Sequence, residues 1–396
     1  MVLQIKNIEI QNKLSTLISL LSSNNAYFNE NLNLKFIDKE FSIYAKKGHA
    51  NLKKYIEIPI DLLPCIDDYE FELEEEQIVC KVKNKSITLQ NDIMMIMVDI
   101  YNLSHKVSFH KQSNLFYNLK NHLEFLKLLT HSRKNEKIDK CLELLKNRQY
   151  SKLLMETFLS SRTFSYKKDN NQNSKQLILP VLDFLNHKIT KKGFKIDKYK
   201  STIAVETDKV ESSSQLYVCY NYYDSLETLI YYGFSDISSP VLFSIPMKIP
   251  LSNGITIEIE NFGFRKFSDE DVSKVLLPIK NLIPKIEKID NKKIVVSKLA
   301  IPNKYLPLAL RHVIHLILHE LQIDSSAEVR LPILQAIEKY IIEENIRYYE
   351  NLNQKTISII NDTEVSSYIK NQLKTLISSN IMFLKKYGSW FNNHAK

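Results

Sequence analysis

Three histidines near the C-terminal end of the chain have the residue type and spacing of metal ligands. His312, His315 and His319 stand at i, i+3 and i+7, so a helix would align their imidazoles along one stripe. No HExxH motif is present, and the residues after Glu320 supply no further ligand. Packing or surface histidines are therefore the preferred interpretation, and no metal is expected.

A second group that could do chemistry is the acidic run DDYEFELEEE, residues 67–76. Its carboxylates could attract a basic partner or a metal ion. A solvated face of a strand or turn is the plainer interpretation, and it is the one that we favour.

The stretch LILPVLDFLNHKIT, residues 177–190, ends an apolar run in two polar side chains. It has the character of a strand or a core helix, contains Asp183, and then ends in Asn186 and His187. Wherever solvent is excluded, both of these side chains must find hydrogen-bond partners. The residues alone leave open whether a ligand or the backbone supplies those partners.

A tyrosine-rich group, YNYYDSLETLIYYGF, covers residues 220–234. It contains five tyrosines in fifteen residues, and each phenolic hydroxyl needs a partner when it is buried. It also contains one of only six glycines in the chain. On composition alone, an aromatic core and a binding site remain equal alternatives.

Glycine is scarce, and this scarcity excludes several kinds of site. The six glycines cannot form a GxGxxG, a GxxxxGK[ST] or a GxSxG motif. A dinucleotide-binding fold, a P-loop and a serine hydrolase are therefore not expected.

The overall composition is that of a folded protein. The 396 residues are 44% hydrophobic and 25% charged, which is ordinary for globular proteins and sufficient for two or three domains. The net charge of +9 is mild, so a basic surface for RNA or an acidic protein is the less favoured interpretation. No apolar run is long enough to span a membrane, and the first 25 residues do not resemble a signal peptide.

Cys65, Cys80, Cys141 and Cys219 are widely scattered and form no CxxC pair. Neither a zinc knuckle nor a disulfide framework is indicated. This usage suits a reducing compartment, so a cytoplasmic location is expected, with the nucleus left open.

The apolar periodicity of the first 160 residues predicts strands followed by helices. Residues 8–23 have helical spacing, and residues 91–160 return to it. The runs between them that predict strands are LNLKF, FSIYA, YIEIPI, IVCKV and SITL. The first hundred residues therefore look mostly β.

In the rest of the chain, predicted strands again precede predicted helices. Strand character returns in QLILPVL, TIAVET, QLYVCYN, VLFSIPMKI and ITIEIE, and the pattern from Ser268 onward is helical. Polar breaks at residues 167–175 and 288–293 are predicted loops. A β-rich part interrupted by helices and followed by helices indicates an α+β fold.

Three segments, taken in order, resemble the motif series of SET-domain protein methyltransferases. SSRTFSY (160–166), LILPVLDFLNH (177–187) and YNYYDSLETLIYYGF (220–234) are similar to the family's SR-x-F, P-x-x-D-x-x-NH and Y-x(11)-YGF motifs. YIEIPIDLL (55–63) and KVSFHKQSNLFYNL (106–119) also fit that pattern. The subclass that the chain resembles is the Rubisco large-subunit lysine methyltransferase type, to which the actin histidine methyltransferase also belongs.

The resemblance covers essentially the whole chain and implies its organisation. In that subclass a helical insert splits the SET domain, and a helical substrate-binding domain follows it. The implied parts are an N-terminal SET part (1–90), a helical insertion (91–158), a C-terminal SET part (159–264) and a substrate-binding domain (265–396). The implied fold class is α+β, with a β-rich SET domain and a mostly α-helical C-terminal domain.

The same resemblance implies S-adenosylmethionine as the cofactor, with Asn186 and His187 lying where the chain threads a pseudoknot. The residues implied to bind it are Ser42, Ile43, Tyr44, Arg162, Asn186, His187, Tyr232, Gly233 and Phe234. Arg162, Asp183 and Tyr220 would contact the target residue. Tyr220 and Tyr232 are the implied catalytic residues.

One motif departs from the family pattern. The family usually carries G-x-G-[LIF]-x-A near its N terminus, whereas the matching stretch here is EFSIYA, with Glu40 and Ser42 in place of the glycines. A Cβ at such a position can block close approach of a cofactor or a positive φ. Cofactor affinity is therefore an open question from the sequence.

The resemblance implies a protein-lysine N-methyltransferase that acts on a protein substrate bearing the target lysine. A protein-histidine methyltransferase of the same subclass is one alternative, and a catalytically silent SET-like binding module is another. A monomer is expected, and neither a membrane nor a nucleic acid is an expected partner.

Overall fold

The computed structural model describes residues 1–46, 54–133, 135–167, 173–189, 191–206, 215–251, 254–261, 284–302, 308–321 and 327–394. Gly48, Gly263 and the predicted helix start at Ser268 lie outside these residues, as does the implied boundary at residues 264 and 265.

Helices occupy the N-terminal end, the middle and the C-terminal part of the chain. They are α1 (Ile8–Ser23), α2 (Thr88–Leu103), α3 (Lys106–Ser113), α4 (Leu115–Asn118), α5 (Leu123–His131), α6 (Glu136–Lys146), α7 (Tyr150–Ser160), α8 (Ser225–Tyr232), α9 (Leu308–Glu320), α10 (Ala327–Asn361) and α11 (Ser367–His394). Short 3-10 turns cover Ile60–Leu62, Ile66–Asp68 and Leu182–Phe184.

The strands are short and lie mostly before and after the central helices. They are β1 (Val2–Gln4), β2 (Tyr27–Phe28), β3 (Leu32–Ile37), β4 (Glu40–Ala45), β5 (Lys54–Pro59), β6 (Tyr69–Glu74), β7 (Gln77–Val82), β8 (Thr163–Tyr166), β9 (Lys175–Ile178), β10 (Asn186–His187), β11 (Lys195–Asp197), β12 (Thr202–Glu206), β13 (Tyr217–Val218), β14 (Val241–Phe243), β15 (Met247–Pro250), β16 (Thr256–Glu260), β17 (Lys285–Lys288), β18 (Lys293–Ser297) and β19 (Ala300–Pro302). Together with the helices they confirm the predicted α+β class, with a β-rich N-terminal region and a helical C-terminal region.

The first of two compact units comprises Met1–Tyr117 and Leu144–Asn221. It contains a three-stranded sheet in the order β1-β3-β4 and a four-stranded sheet in the order β11-β12-β5-β2. Strand β1 runs parallel to β3, and the other neighbours in these sheets are antiparallel. Two-stranded sheets join β6 to β7, β8 to β9 and β10 to β13.

Helix α1 packs against α2 in the core of this first unit. Its buried residues Ile10, Leu14, Leu17 and Leu21 recur every three or four positions, so they form one apolar stripe that is fully removed from solvent. The side chain of Asn7 accepts a hydrogen bond from the Ile10 amide over 3.1 Å and caps the first turn. The predicted helix over residues 8–23 is confirmed.

The second compact unit comprises Asn118–Glu143 and Tyr222–Lys396. Its four-stranded sheet has the order β15-β16-β18-β17, and β14 pairs with β19. Helices α10 and α11 pack along each other, and α9 packs on α10. Helix α11 buries Ile369, Leu373 and Leu376 at a spacing of three and four residues. None of the described helices combines the length and apolar character that a bilayer crossing requires.

The strand predicted over SITL (86–89) is wrong, because helix α2 begins at Thr88. The β-branched side chains of Ile87 and Thr88 favour a strand locally. The apolar stripe that follows them is buried on one face of α2, so packing over the whole helix outweighs the local preference of its first residues.

The stretch LFYNLKNHLEFLKLL, which has helical spacing, forms two helices, because the chain breaks between α4 and α5. Polar side chains in the break have partners far along the chain. Asn121 donates to Glu364 over 2.8 Å, and His122 lies 2.7 Å from Asp362. These distant partners satisfy the polar groups of the break and interrupt the helix.

The helical pattern expected from Ser268 onward does not hold for residues 284–302, which form β17, β18 and β19. The β-branched run Ile294–Val296 is buried between two neighbouring strands, which suits a central strand. The loop predicted over residues 288–293 is confirmed as the connection between β17 and β18.

Candidate active site

Three segments of the first unit meet where the sequence predicted a cofactor site. The amide of Leu216 donates to the carbonyl of Ile43 in strand β4 over 2.7 Å, and Tyr44 bridges to Gln215. The same stretch then pairs in parallel with β10, Asn186 opposite Tyr217 and His187 opposite Val218. Residues 215–218 therefore lie between β4 and β10, which brings Ser42–Tyr44 close to the Asn-His pair.

Tyr220 continues from this crossing and fixes the state of His187. Its amide donates to Nδ1 of His187 over 3.0 Å, and the two ring centroids are 5.1 Å apart. Because an amide can only donate, Nδ1 of His187 must act as an acceptor. The hydroxyl of Tyr220 donates to the carbonyl of Leu185, and burial raises the pKa of Tyr220, so the phenol stays protonated.

Asp183 is carried by the 3-10 turn Leu182–Phe184, and two donors converge on its carboxylate. Nη1 of Arg162 donates to Oδ2 over 2.8 Å, and the hydroxyl of Tyr101 donates to the same oxygen over 3.1 Å. Burial raises the pKa of Asp183, while the guanidinium of Arg162 acts against that change. Burial also lowers the pKa of Arg162, but the Asp183 carboxylate outweighs it and the net direction is upward. The site therefore holds a mostly buried ion pair with a tyrosine as second donor.

The backbone that presents Asp183 is strained. The strand predicted over QLILPVL ends at Ile178, since Pro180 cannot donate a ladder hydrogen bond and the chain turns. Val181 then has a φ of 65° and a ψ of −41°, a conformation that β-branched residues rarely adopt. Such strain costs on the order of 1–3 kcal/mol and is typical of functional sites.

Arg162 follows α7 directly and lies against aromatic rings. Its Cζ atom is 4.5 Å from the ring centroid of Phe158 and 5.3 Å from that of Tyr101. Its Nε is buried and has no hydrogen-bond acceptor among the described residues. A guanidinium held in this way can donate hydrogen bonds to an anionic group of a ligand.

Lys106 is a further cation of this site. Its Nζ lies 5.5 Å from the ring centroid of Phe41, whose ring is 4.3 Å from that of Phe184. Burial, reinforced by the charge of Arg162, lowers the pKa of Lys106 to about 8. A lysine in this environment therefore loses its proton more easily than an exposed lysine does.

Sequence reasoning missed Tyr101, Lys106 and Phe158 as parts of the site. Tyr101 lies in the apolar stripe of α2, 82 residues from its partner Asp183. Phe158 occupies an ordinary core position of α7. No local signal singles out these residues, although Tyr101 is the one tyrosine in the helical stretch DIMMIMVDIYNL.

Tyr232, Gly233 and Phe234 belong to the second unit, whereas the other predicted site residues belong to the first. Gly233 ends α8 with a φ of 79°, a left-handed conformation that favours glycine, and its amide donates to Leu229. The ring centroid of Tyr232 is 6.2 Å from that of Phe234 and 6.0 Å from that of Tyr223. The glycine of this motif thus has a clear structural role in ending the helix.

The backbone conformation of strand β4 shows whether Glu40 and Ser42 stand at positions that require glycine. Neither Glu40 nor Ser42 has a positive φ; the left-handed residues nearby are Asp38 and Lys39 in the preceding turn. The side chain of Glu40 is exposed, while Ser42 is buried. The backbone conformation therefore needs no glycine here, and cofactor binding by the main chain of Ser42–Tyr44 stays a prediction.

The three histidines singled out in the sequence lie on α9. Among the described residues, no group of three or more His, Cys, Asp and Glu side chains is arranged to hold a metal ion. His315 and His319 are exposed on α9.

Solved structures align with nearly the whole chain at low sequence identity. No protein-family model matches the sequence, and no curated protein matches it. A solved structure of Rubisco LSMT bound to AdoMet aligns with a TM-score of 0.45 at 13% identity, over 97% of this chain and 92% of that one. The SET domain of LSMT bound to lysine and AdoHcy aligns with a TM-score of 0.44 at 14% identity, over 97% of this chain and 91% of that one.

Proposed function

We propose that this protein is an S-adenosylmethionine-dependent protein methyltransferase whose target is a lysine side chain. The observation that carries the proposal is the crossing in the first unit. There, hydrogen bonds join strand β4, residues 215–220 and the Asn186-His187 pair. This arrangement supports the proposal because it brings the EFSIYA stretch, the Asn-His pair and Tyr220 together.

The cofactor would be held by groups of this crossing. The main chain of Ser42–Tyr44 and the side chains of Asn186 and His187 would bind it, and Arg162 would offer a buried cation to its carboxylate. The motif resemblance also implies Tyr232, Gly233 and Phe234 as cofactor-binding residues; they belong to the second unit, and their part stays a prediction. When bound, S-adenosylmethionine supplies a sulfonium methyl group that is open to in-line displacement.

The chain's own residues would prepare the target amine. A lysine in water is only about 0.1% neutral at pH 7.4, so the site must favour the neutral form. Burial beside Arg162 lowers the pKa of Lys106 to about 8, which is the direction of change that a target lysine would need.

Two tyrosines would act as the catalytic residues, mainly by positioning. Tyr220, protonated and directed by its bond to Leu185, would orient the amine, and Asp183 would line the target channel. For Tyr232, which belongs to the second unit, the catalytic role stays a prediction from the motif resemblance. Because methyl transfer needs alignment of nucleophile, carbon and leaving sulfur, such positioning accounts for most of the required catalysis.

The first test is calorimetric titration of S-adenosylmethionine into the purified protein. We expect saturable binding that weakens about tenfold or more in Asn186→Ala. Asn12→Ala, which removes an exposed asparagine on α1, is the matched control and should bind like the wild type. Absence of binding to folded wild-type protein, or equal binding by Asn186→Ala, would refute the cofactor site.

The second test identifies the target residue. Labelled S-adenosylmethionine is incubated with cell extract and the protein, and the labelled products are hydrolysed to amino acids. We expect Nε-methyl-lysine, with the yield falling about tenfold or more in Tyr220→Phe. Methylhistidine instead would replace the lysine proposal by the histidine one. If the protein binds the cofactor but transfers no methyl group to any protein in several different extracts, the silent binding module would be favoured.

A further inference from the structure

A groove in the first unit runs along strand β6 (Tyr69–Glu74) beside helix α7 (Tyr150–Ser160). Its volume is about 590 Å³, within the range of ligand-binding clefts. Phe71, Leu73, Met155 and Leu159 supply apolar lining. The methyltransferase proposal makes no use of this groove, whose β6 side is formed by the acidic run noted in the sequence.

Strand β6 offers a free edge to this groove. In the described part of the chain it pairs with β7 alone, from Tyr69 opposite Val82 to Glu74 opposite Gln77. All six residues of β6 line the groove, although successive side chains of a strand point to opposite faces. The groove therefore follows the edge of the strand, where alternate backbone groups lack a strand partner.

The charged residues of the groove give it an acidic character. Glu70, Glu72, Glu74 and Glu156 line it together with a single basic residue, Lys152. Glu70 and Glu74 are exposed and form no ion pair with any described residue. Glu72 pairs with Lys81 over 3.0 Å, but both side chains are more than half exposed, so a partner can compete for it. In a chain of net charge +9, this concentration of carboxylates selects a cationic partner.

Tyr69 adds an independent observation. It lines the groove, its residue is 3% exposed, and its buried hydroxyl has no hydrogen-bond partner among the described residues. A buried donor without an acceptor costs about 1–3 kcal/mol. The main-chain carbonyls of an incoming peptide are acceptors of the kind that this hydroxyl lacks.

We propose that this groove binds an extended, basic segment of a partner protein that adds a strand to the free edge of β6. Alternate apolar side chains of the segment pack against Phe71, Leu73 and Leu159, and its lysine or arginine side chains pair with Glu70 and Glu74. Backbone hydrogen bonds supply affinity, while the apolar and charged pattern supplies specificity. The binding does not depend on methyl transfer.

The test uses a synthetic peptide of about eight residues with alternating valine and lysine, long enough for one strand. Its binding to the full chain is followed by fluorescence anisotropy at moderate salt. We expect the dissociation constant to rise about tenfold or more in Glu70→Lys/Glu74→Lys. Glu9→Lys/Glu30→Lys changes the net charge equally at exposed sites outside the groove, and it should change the constant less than about twofold.

Hydrogen exchange then separates strand addition from general charge attraction. Saturating peptide should slow the exchange of β6 amides and leave α1 unchanged. Equal weakening in the two double variants, equal binding of a peptide with glutamate in place of lysine, or unchanged β6 exchange at saturation would each overturn the proposal. Circular dichroism of both variants confirms that folding is retained before binding is compared.

Discussion

At the scale of single residues, His110 packs against Phe158, the ring that lies 4.5 Å from Cζ of Arg162. It is buried, its Nε2 lies 2.9 Å from Oγ1 of Thr157, and its ring meets that of Phe158 edge-on at 5.5 Å. Burial, reinforced by the charge of Arg162, lowers the pKa of His110 to about 3. The imidazole is therefore neutral in the folded protein at every pH above that value.

This neutral histidine predicts a pH dependence of stability. Between its unfolded pKa near 6.5 and its folded pKa, the unfolded state binds the extra proton, so the free energy of unfolding falls as the pH falls below about 6.5. The slope from this group is at most about 1.4 kcal/mol per pH unit. Urea unfolding at several pH values between about 7.5 and 4.5 should show a steeper loss in wild type than in His110→Gln.

The matched control is His319→Gln, which removes an exposed histidine on α9 and should keep the wild-type slope. All three proteins share the same carboxyl groups, so the difference between curves isolates His110. Parallel curves for wild type and His110→Gln would show that His110 is protonated or solvated in the folded state.

At the scale of elements, helix α8 is held in the second unit by a buried charge network. Asp224 caps the helix by accepting from the amides of Leu226 and Glu227, and its Oδ2 accepts from Nη2 of Arg133 over 2.5 Å. Nζ of Lys298 lies 3.0 Å from Glu227 in the same interior. Helix α8, which Gly233 ends, thus depends on charges from two distant parts of the chain, Arg133 and Lys298.

Loss of one member of this network should be costly. Asp224→Ala removes the cap and leaves the Arg133 charge buried without its main partner, so we expect the free energy of unfolding to fall by about 3–5 kcal/mol. Asp224→Asn keeps an acceptor for the helix amides and should cost less than Asp224→Ala. Denaturant unfolding of both variants measures the difference.

The double variant Arg133→Met/Asp224→Asn removes both charges and should recover part of the stability that Asp224→Asn alone loses. Equal losses in Asp224→Ala and an exposed acidic control, Glu9→Ala, would show that the network carries no stability. Additive losses in the double variant would show that Arg133 and Asp224 do not act as a pair.

The elements that the sequence predicted well are those whose determinants are local. Helix α1 was expected over residues 8–23 because its apolar stripe lies within the segment itself. The break before α5 and the ion pair of Arg162 with Asp183 depend on partners that only the fold brings near. The motif resemblance supplied most site residues, yet Tyr101 and Lys106 became visible only once α2 and α3 were placed beside Asp183.

At the scale of the whole molecule, the chain forms two compact units, each with a discontinuous sequence. Residues 118–143 group with the later part of the chain, so the chain leaves the first unit and returns to it at Leu144. The four cysteines form no disulfide among the described residues, and they divide between the units: Cys65, Cys80 and Cys219 lie in the first and Cys141 in the second. The thiols therefore report on the two units separately.

Native thiols should react slowly, because Cys65, Cys141 and Cys219 are buried and burial raises the pKa of Cys80 to about 11. Pulse labelling with a maleimide across a urea gradient, read for each cysteine by mass spectrometry, should show Cys65 and Cys219 becoming reactive in one transition. Both lie in the first unit, and loss of a shared core is cooperative. Cys141 should follow the transition of the second unit, and fully unfolded protein without reductant should label at all four positions. Separate urea midpoints for Cys65 and Cys219 would contradict the division of the chain into these two units.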